Sequence, residues 1–204
     1  MNETLSYYAK NASDFVKSTQ NVDMSQIQNE FSALLPKNAQ VLDFGCGSGR
    51  DSLAFLRLGF SVDAVDACAE FCKATEKLTA EFSESGKIQI QKLDFSELSE
   101  KQKYDGVWAC SSLLHVPKLE LPAIFCKIKT ALKPNGVFYC SFKHGDFEGM
   151  RNGRYFSDFA ESELCAFIEN ATRFVKIKVW QTQDVRPERN ENWLNSLWFK
   201  KISF

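Results

Sequence analysis

The sequence has almost no net charge. Its 25 lysines and arginines are balanced by 26 aspartates and glutamates, which gives a formal net charge of −1 at pH 7. A surface that attracts nucleic acid or an anionic membrane needs an excess of cations. We therefore expect a protein that binds neither nucleic acid nor a membrane.

Long apolar runs and secretory features are also absent. No apolar run approaches the roughly 20 residues that span a bilayer, and the N-terminus lacks the basic start and apolar core of a signal peptide. The cysteines number 7, an odd count, and no two are spaced C-x2-C. These features predict a cytoplasmic protein with reduced thiols and without a bound metal.

The chain has enough apolar material for one sizeable core. Hydrophobic residues make up 44% of the 204 residues, and 18 of them are phenylalanines. We predict a single domain over 1–204, because its length is close to that of one ordinary domain. Within it we expect an N-terminal helical lid in 1–36, a cofactor-binding α/β core in 37–144, and substrate-side loops, a helix and a terminal strand pair in 145–204.

Short β-rich runs alternate with helical stretches after the two amphipathic helices of the N-terminal segment. The predicted strands of the core are 40–44, 60–65, 88–93, 104–110 and 137–142. Strands that alternate with helices form a parallel sheet with helices on both faces.

The C-terminal part departs from this alternation. Residues 145–154 are predicted as a loop that carries glycine and arginine. The last two predicted strands, 174–182 and 193–199, have no helix between them and should pair antiparallel. The predicted fold is α/β: a doubly wound, Rossmann-like sheet of seven strands, mostly parallel, with an antiparallel C-terminal strand and N-terminal lid helices.

The turn after the first strand carries the strongest chemical signal. Asp43–Arg50 reads DFGCGSGR, with glycines at alternate positions that let the backbone approach a ligand. A nicotinamide-binding turn has the looser G-x-G-x-x-G spacing and holds a pyrophosphate. The anionic Asp43 is a poor neighbour for a pyrophosphate and a good one for an ammonium group. The turn therefore fits S-adenosylmethionine better.

Acidic residues follow the next two strands as well. Asp66 ends the second strand, where a carboxylate accepts hydrogen bonds from both ribose hydroxyls. Asp63 should face the opposite way and be at best a solvated partner. After the third strand, Asp94 offers a carboxylate to the adenine amine and Phe95 offers a ring to the adenine face.

These motifs resemble those of the class I S-adenosylmethionine-dependent methyltransferases. The resemblance is carried by Val41–Gly49, Asp66, Asp94–Phe95 and Leu132–Val137, and it covers nearly the whole chain. Within this family the chain looks most like small bacterial enzymes of the tellurite-resistance-like or generic methyltransferase type, which share the Ser-Leu-Leu-His-Val-Pro motif. Asn135 stands where a glycine is usual, and asparagine tolerates the same turn.

The resemblance implies a set of cofactor-binding residues. It places Tyr8 on a helix that covers the cofactor and Cys110 beside the cofactor. The full expected set is Tyr8, Asp43, Gly45, Cys46, Gly47, Arg50, Asp66, Ala67, Asp94, Phe95 and Cys110.

The substrate side is less well determined. The resemblance places His115 near the methyl group, as a catalytic base or as a group that only orients the substrate. Arg154 and Arg186 lie in late loops that reach the same rim, where they would hold an anionic acceptor or pair with nearby carboxylates. The Pro-Pro-aromatic motif of nucleic-acid amino methyltransferases and the Pro-Cys pair of cytosine carbon-5 enzymes are both missing.

We therefore predict an enzyme that transfers a methyl group from S-adenosylmethionine to a small-molecule acceptor by in-line displacement and releases S-adenosylhomocysteine. The alternatives are a nicotinamide-dependent oxidoreductase on a Rossmann fold and a non-catalytic S-adenosylmethionine-binding protein. We expect a monomer or a homodimer.

Overall fold

The structure, a computed structural model, describes residues 3–186 and 189–201. The ends of the predicted lid and terminal segments, residues 1–2 and 202–204, lie outside this range, as do residues 187–188.

Six α-helices are formed in the described part of the chain. Two precede the sheet: α1 (Glu3–Thr19) and α2 (Ser25–Ser32). The other four are α3 (Arg50–Arg57), α4 (Ala69–Leu78), α5 (Leu121–Ala131) and α6 (Glu161–Thr172). Short 3-10 helices cover Ala80–Ser85, Phe95–Glu97 and Leu113–His115.

The described strands form one large sheet and one hairpin. The sheet contains β1 (Gln40–Phe44), β2 (Ser61–Asp66), β3 (Ile88–Lys92), β4 (Tyr104–Ala109), β5 (Leu132–Lys143), β8 (Val175–Gln183) and β9 (Asn192–Phe199). Their order is β3-β2-β1-β4-β5-β9-β8, and β9 runs antiparallel to both of its neighbours. The predicted seven-stranded, mostly parallel sheet with an antiparallel C-terminal strand is confirmed.

Two apolar layers sandwich this sheet because the side chains of each strand point alternately to its two faces. Leu42 packs with Phe125 of α5 and Ile168 of α6 on one face. On the other face, Val41 packs with Phe31 of α2. Both layers are needed because a parallel sheet is buried on both faces.

The predicted loop after the fifth strand is instead a β-hairpin. Strands β6 (Glu148–Arg151) and β7 (Arg154–Ser157) pair antiparallel, with Arg151 opposite Arg154. The turn between them contains Asn152 (φ 52°) and Gly153 (φ 76°), the left-handed conformations that a two-residue hairpin turn requires. Gly149 thus belongs to β6 and Gly153 to the turn, whereas Gly145 lies in a bend before the hairpin.

The prediction that Asp63 is solvated is wrong. The residue is only 7% exposed. Its carboxylate accepts hydrogen bonds from the Tyr104 hydroxyl at 2.8 Å and the Gln40 amide at 3.0 Å, and it pairs with Lys103 at 2.5 Å. Apolar layers cover both faces of this sheet. A side chain that points away from one layer is therefore buried under the other, as Asp63 is.

Asn135 lies within β5, where the pairing of β5 with β4 shifts register between Leu132 and Val137. Its φ is 65°, in the left-handed region that asparagine tolerates better than most residues.

Candidate functional site

One large cavity opens at the carboxyl ends of the parallel strands. It has a volume of about 550 Å³, which lies in the range of roughly 300–1,000 Å³ common for small-ligand sites. It lies beside β1 and β4. Strands β2 and β3 lie on one side of β1, and the chain then continues with β4 on the other side, so the direction of strand addition reverses between β1 and β4. Ligands of open α/β sheets bind at this reversal point.

The glycine turn after β1 forms one wall of the cavity. Gly45 has a φ of 95° and Gly47 a φ of 52°, both in the left-handed region. A Cβ atom on Gly45 would lie 2.4 Å from the Cβ of Ser112, so no larger residue fits without displacement. The turn leads into the first residues of α3, whose backbone N–H groups lack helical partners and can serve a ligand.

Asp66 lies beside this turn and is tied to it. Its carboxylate accepts hydrogen bonds from the backbone N–H groups of Gly47 at 3.0 Å and Cys68 at 2.9 Å. Burial raises the pKa of the Asp66 carboxyl to about 6, although these hydrogen bonds act to lower it. Asp66 is therefore an oriented acceptor at the cavity wall, and it is largely ionised at pH 7.

Two predicted cofactor residues, Asp43 and Asp94, do not line the cavity. Asp43 is 2% exposed and accepts a hydrogen bond from the Ser52 hydroxyl at 2.6 Å. Burial and the charge of Asp51 raise the pKa of Asp43 to about 7. Asp94 caps the 3-10 helix Phe95–Glu97 through the Ser96 N–H at 2.9 Å.

Phe95 does line the cavity. Its ring packs edge-on against Phe44 with 4.7 Å between the centroids, which fixes it beside the turn. Cys46, Gly47 and Ala67 line the same region.

A buried ion pair lies behind the glycine turn. Arg50 donates two hydrogen bonds of 2.8 Å to Asp51. Asp51 also accepts hydrogen bonds from Trp108 Nε1 at 2.9 Å and Gln28 Nε2 at 2.7 Å. Burial opposes the charge of Asp51, but the charge and hydrogen bonds of Arg50 hold its pKa below the usual value. Arg50 is thus neutralised while it lines the cavity.

Cys110 lines the cavity close to this pair. Its Sγ lies 3.8 Å from the guanidinium of Arg50, and burial raises the pKa of the thiol to about 11. A thiol with this pKa stays protonated at neutral pH, so Cys110 is a cavity wall and not an activated nucleophile.

His115 is held between α1 and the hairpin. Its Nδ1 lies 2.7 Å from the backbone carbonyl of Tyr155, and its Nε2 lies 2.7 Å from the hydroxyl of Tyr8. A carbonyl only accepts, so Nδ1 carries the proton and Nε2 accepts the hydrogen bond that Tyr8 donates. Burial lowers the pKa of His115 to about 4. The imidazole is therefore neutral at pH 7.

The two predicted substrate arginines both line the cavity but differ in their partners. Arg186 pairs with Asp184 through both ends of the carboxylate, and Trp193 Nε1 also donates to this carboxylate at 3.1 Å. Burial opposes ionisation of Asp184, yet the hydrogen bonds from Arg186 lower its pKa to about 2. Arg154 makes no ion pair with a described carboxylate, and its NH1 lies 3.4 Å from the Tyr8 hydroxyl.

Sequence reasoning missed several residues of the wall. Phe71 of α4 lines the cavity, and its ring centroid lies 5.1 Å from that of Phe15 of α1. Ser111 has a φ of 53°, a strained value for a residue other than glycine, and its N–H donates to the Ser141 hydroxyl at 2.8 Å. Asp51 was also missed. Its position in the first turn of α3 could have drawn attention to it, but acidic residues are common there because they stabilise the helix, so this position does not by itself indicate a site.

Residues 3–186 and 189–201 contain neither a candidate metal-ligand cluster nor a candidate membrane-spanning helix. These residues contain no group of three or more histidine, cysteine or acidic side chains placed to hold a metal ion. Within the same ranges, none of the helices has both the length and the apolar character needed to cross a bilayer.

Known proteins give an independent indication of the family. Residues 41–136 match the sequence profile of a methyltransferase domain family. The chain is 33% identical over 103 residues to a ubiquinone biosynthesis O-methyltransferase of Xanthomonas campestris, a match that covers 50% of this chain and 42% of the relative. It is 37% identical over 109 residues to the alpha N-terminal protein methyltransferase 1 of Drosophila melanogaster, covering 52% and 39%.

The chain thus spans about two fifths of the length of these curated relatives, whose names give different acceptors. A solved structure extends the likeness to the whole fold. It is the 1,6-didemethyltoxoflavin-N1-methyltransferase of Burkholderia thailandensis with bound 1,6-didemethyltoxoflavin and S-adenosylhomocysteine. The TM-score is 0.83 at 24% identity, over 98% of this chain and 88% of the other.

Proposed function

We propose that the protein is a class I S-adenosylmethionine-dependent methyltransferase that methylates a small-molecule acceptor. Two similarities support this: residues 41–136 match a methyltransferase-domain profile, and the fold resembles that of a solved methyltransferase. The observation that carries the proposal is the single cavity that joins the glycine turn and Asp66 to His115 and Arg154. One end has the groups that suit the methyl donor, and the other end has separate polar groups for an acceptor.

The described residues fit S-adenosylmethionine. The Asp66 carboxylate would accept the ribose hydroxyls, and Phe95 would cover the adenine. The backbone at Gly45 and Gly47, with the buried Asp43 behind it, would hold the amino-acid end. When bound, this cofactor supplies an electrophilic methyl group for in-line displacement, which needs positioning and exclusion of water more than covalent assistance.

The protein's own groups would close and orient the reaction centre. Helix α1 acts as a lid, because Tyr8 on it bonds to His115 while Thr4 accepts a hydrogen bond from the Tyr155 N–H at 2.9 Å. His115 Nε2 accepts the hydrogen bond of the Tyr8 hydroxyl, and Nδ1 donates to the Tyr155 carbonyl. Because burial lowers the pKa of His115 to about 4, the neutral imidazole would orient the Tyr8 hydroxyl toward the acceptor and would not hold a second proton at pH 7.

The remaining expectations belong to the same proposal. We place the reaction in the cytoplasm and expect a monomer or a homodimer. The near-zero net charge supports a small molecule over nucleic acid as the acceptor.

A methyl-labelling experiment tests the proposal. The protein is incubated with methyl-labelled S-adenosylmethionine and a cell extract separated into small-molecule, protein and nucleic-acid fractions. Label should appear in the small-molecule fraction and fall at least tenfold with His115→Asn. Label in the protein or nucleic-acid fraction alone would contradict the acceptor class.

Two further outcomes separate the alternatives. Binding of S-adenosylmethionine without label in any fraction would favour a non-catalytic binding protein. Oxidation of NADH in place of methyl transfer would favour the oxidoreductase.

A further inference from the structure

Four cationic side chains line the acceptor end of the cavity: Lys143, Arg154, Arg186 and Arg189. Three of them face carboxylates. Lys143 Nζ lies 2.6 Å from Glu191, Arg189 lies 3.9 Å from the same carboxylate, and Arg186 Nε lies 2.8 Å from Asp184. Their charges are largely neutralised within the protein, so they offer little to an anionic ligand.

Arg154 differs from the other three. It forms no ion pair with any carboxylate in residues 3–186 and 189–201, and its contact with the Tyr8 hydroxyl is long at 3.4 Å. The Nε of Arg154 is buried and has no hydrogen-bond partner among the described residues. Buried donors of native proteins nearly always have partners, because an unmade hydrogen bond costs about 1–3 kcal/mol, and more for a charged group. Because Nε itself is buried, a ligand in the cavity would be bound by the terminal N–H groups of Arg154, whose charge no described carboxylate compensates.

Aromatic rings hold the Arg154 guanidinium in place. Its Cζ lies 4.8 Å from the ring centroid of Tyr7, 5.1 Å from that of Phe156 and 5.7 Å from that of Tyr8. Such contacts fix a guanidinium through its faces and keep its charge, while its N–H donors point outward in its own plane. A guanidinium that is immobilised, charged and without a carboxylate is suited to bind an oxyanion through two parallel hydrogen bonds.

The surroundings describe the rest of the ligand. Leu114, Phe156 and Trp193 line the same cavity, and His115 beside them is uncharged at pH 7. Resting on the proposed function, we propose that Arg154 is the specificity-determining residue for the acceptor and binds an anionic oxygen, a carboxylate, phenolate or enolate, carried on a planar or apolar body. Arg186 forms an ion pair with Asp184, and its role is to stabilise the loop at the rim of the cavity.

The test compares matched anionic and neutral probes on the cofactor-loaded protein. Wild type is saturated with S-adenosylhomocysteine and titrated with benzoate, salicylate and 4-hydroxybenzoate, each against its carboxamide. We expect at least one carboxylate to bind at least tenfold more tightly than its amide. Arg154→Met should abolish this preference, and Arg154→Lys should retain part of it because the charge remains.

Arg189→Met is the matched control. It removes one positive charge from the same cavity, so it reports the long-range electrostatic effect without the proposed contact, and it should change carboxylate binding by less than threefold. Melting temperature and S-adenosylhomocysteine affinity establish that each variant is folded.

Two results would overturn the inference: no pair in which wild type prefers the carboxylate, or a preference that survives Arg154→Met. Neither depends on the proposed function being wrong. Failure of wild type to bind S-adenosylhomocysteine at all would instead contradict the proposed function, and the two failures are thus distinguishable.

Discussion

The hydroxyl of Tyr8 and Nε2 of His115 lie 2.7 Å apart although 107 residues separate them in the chain. This hydrogen bond joins the N-terminal helix to the segment that follows β4. Because the imidazole is held at its other nitrogen by Tyr155, the Tyr8 hydroxyl is the donor of the pair. The contact ties α1 across the cavity and sets the orientation of the His115 imidazole.

A double-mutant cycle measures this contact. Tyr8→Phe, His115→Ala and the double variant are compared by chemical denaturation. We expect a coupling energy of about 1 kcal/mol, since a net hydrogen bond between uncharged groups contributes about that much. Strictly additive effects on the free energy of unfolding would show that the bond does not hold the helix in solution.

The affinity for S-adenosylhomocysteine should depend on pH through Asp66. Burial raises the pKa of Asp66 to about 6, and its ionised form is the better acceptor for ribose hydroxyls. Affinity should therefore be full above about pH 7 and fall, by up to tenfold per pH unit, as the pH drops below 6. Calorimetric titration from pH 5 to 8 measures the profile.

Asp43 titrates close by, with a pKa of about 7, and needs its own control. The break near pH 6 should persist in Asp43→Asn and disappear in Asp66→Asn. A profile that is flat in wild type, or unchanged in Asp66→Asn, would contradict the assigned role of Asp66.

Gly45 should tolerate no side chain. Gly45→Ala forces a residue with a Cβ into a φ of 95° and places this atom 2.4 Å from Ser112 Cβ. Gly86→Ala is the matched control, because Gly86 also has a positive φ, 67°, but has no heavy atom within 4 Å of the added Cβ. We expect Gly86→Ala to cost about 1 kcal/mol in the free energy of unfolding and Gly45→Ala to cost more and also to weaken cofactor binding. Equal losses in the free energy of unfolding would show that the turn can shift to accommodate the added Cβ atom.

The sequence was sufficient to predict the sheet because each strand is a short β-rich run between helical stretches with regular spacing. The same reasoning also located the residues of the glycine turn and Asp66, which follow strands that end at one edge. It did not identify the hairpin of β6 and β7, because glycines at 145, 149 and 153 are equally compatible with an irregular loop.

Side-chain partnerships were beyond the reach of the sequence. Asp184 and Arg186 are two residues apart, and the sequence left open whether this arginine pairs locally or binds substrate; the structure shows a local pair. Arg154 has no acidic residue within two positions in the sequence. That it also pairs with no described carboxylate in space depends on the position of the hairpin, which the sequence did not predict. The prediction that Asp63 is solvated failed because the residues that bury it and bond to it, such as Tyr104 and Lys103, come from a distant part of the sequence.

Asp63 should contribute to stability and not to cofactor binding. Asp63→Ala leaves the Tyr104 hydroxyl and Lys103 without their acceptor. We expect a loss of roughly 2 kcal/mol in the free energy of unfolding, below the cost of breaking a fully buried pair because Lys103 is partly exposed. Urea denaturation measures the loss, and a change below about 0.5 kcal/mol would contradict this role.

The most direct test of the account is a calorimetric titration of the protein with S-adenosylhomocysteine and with NADH, performed on wild type, Asp66→Ala and Asp63→Ala. We predict micromolar binding of S-adenosylhomocysteine and none of NADH. Asp66→Ala should weaken binding by about 1–3 kcal/mol, roughly 5- to 150-fold, and Asp63→Ala, three residues earlier on the same strand, should leave it unchanged. Binding of NADH in place of S-adenosylhomocysteine, or unchanged affinity in Asp66→Ala, would contradict the account.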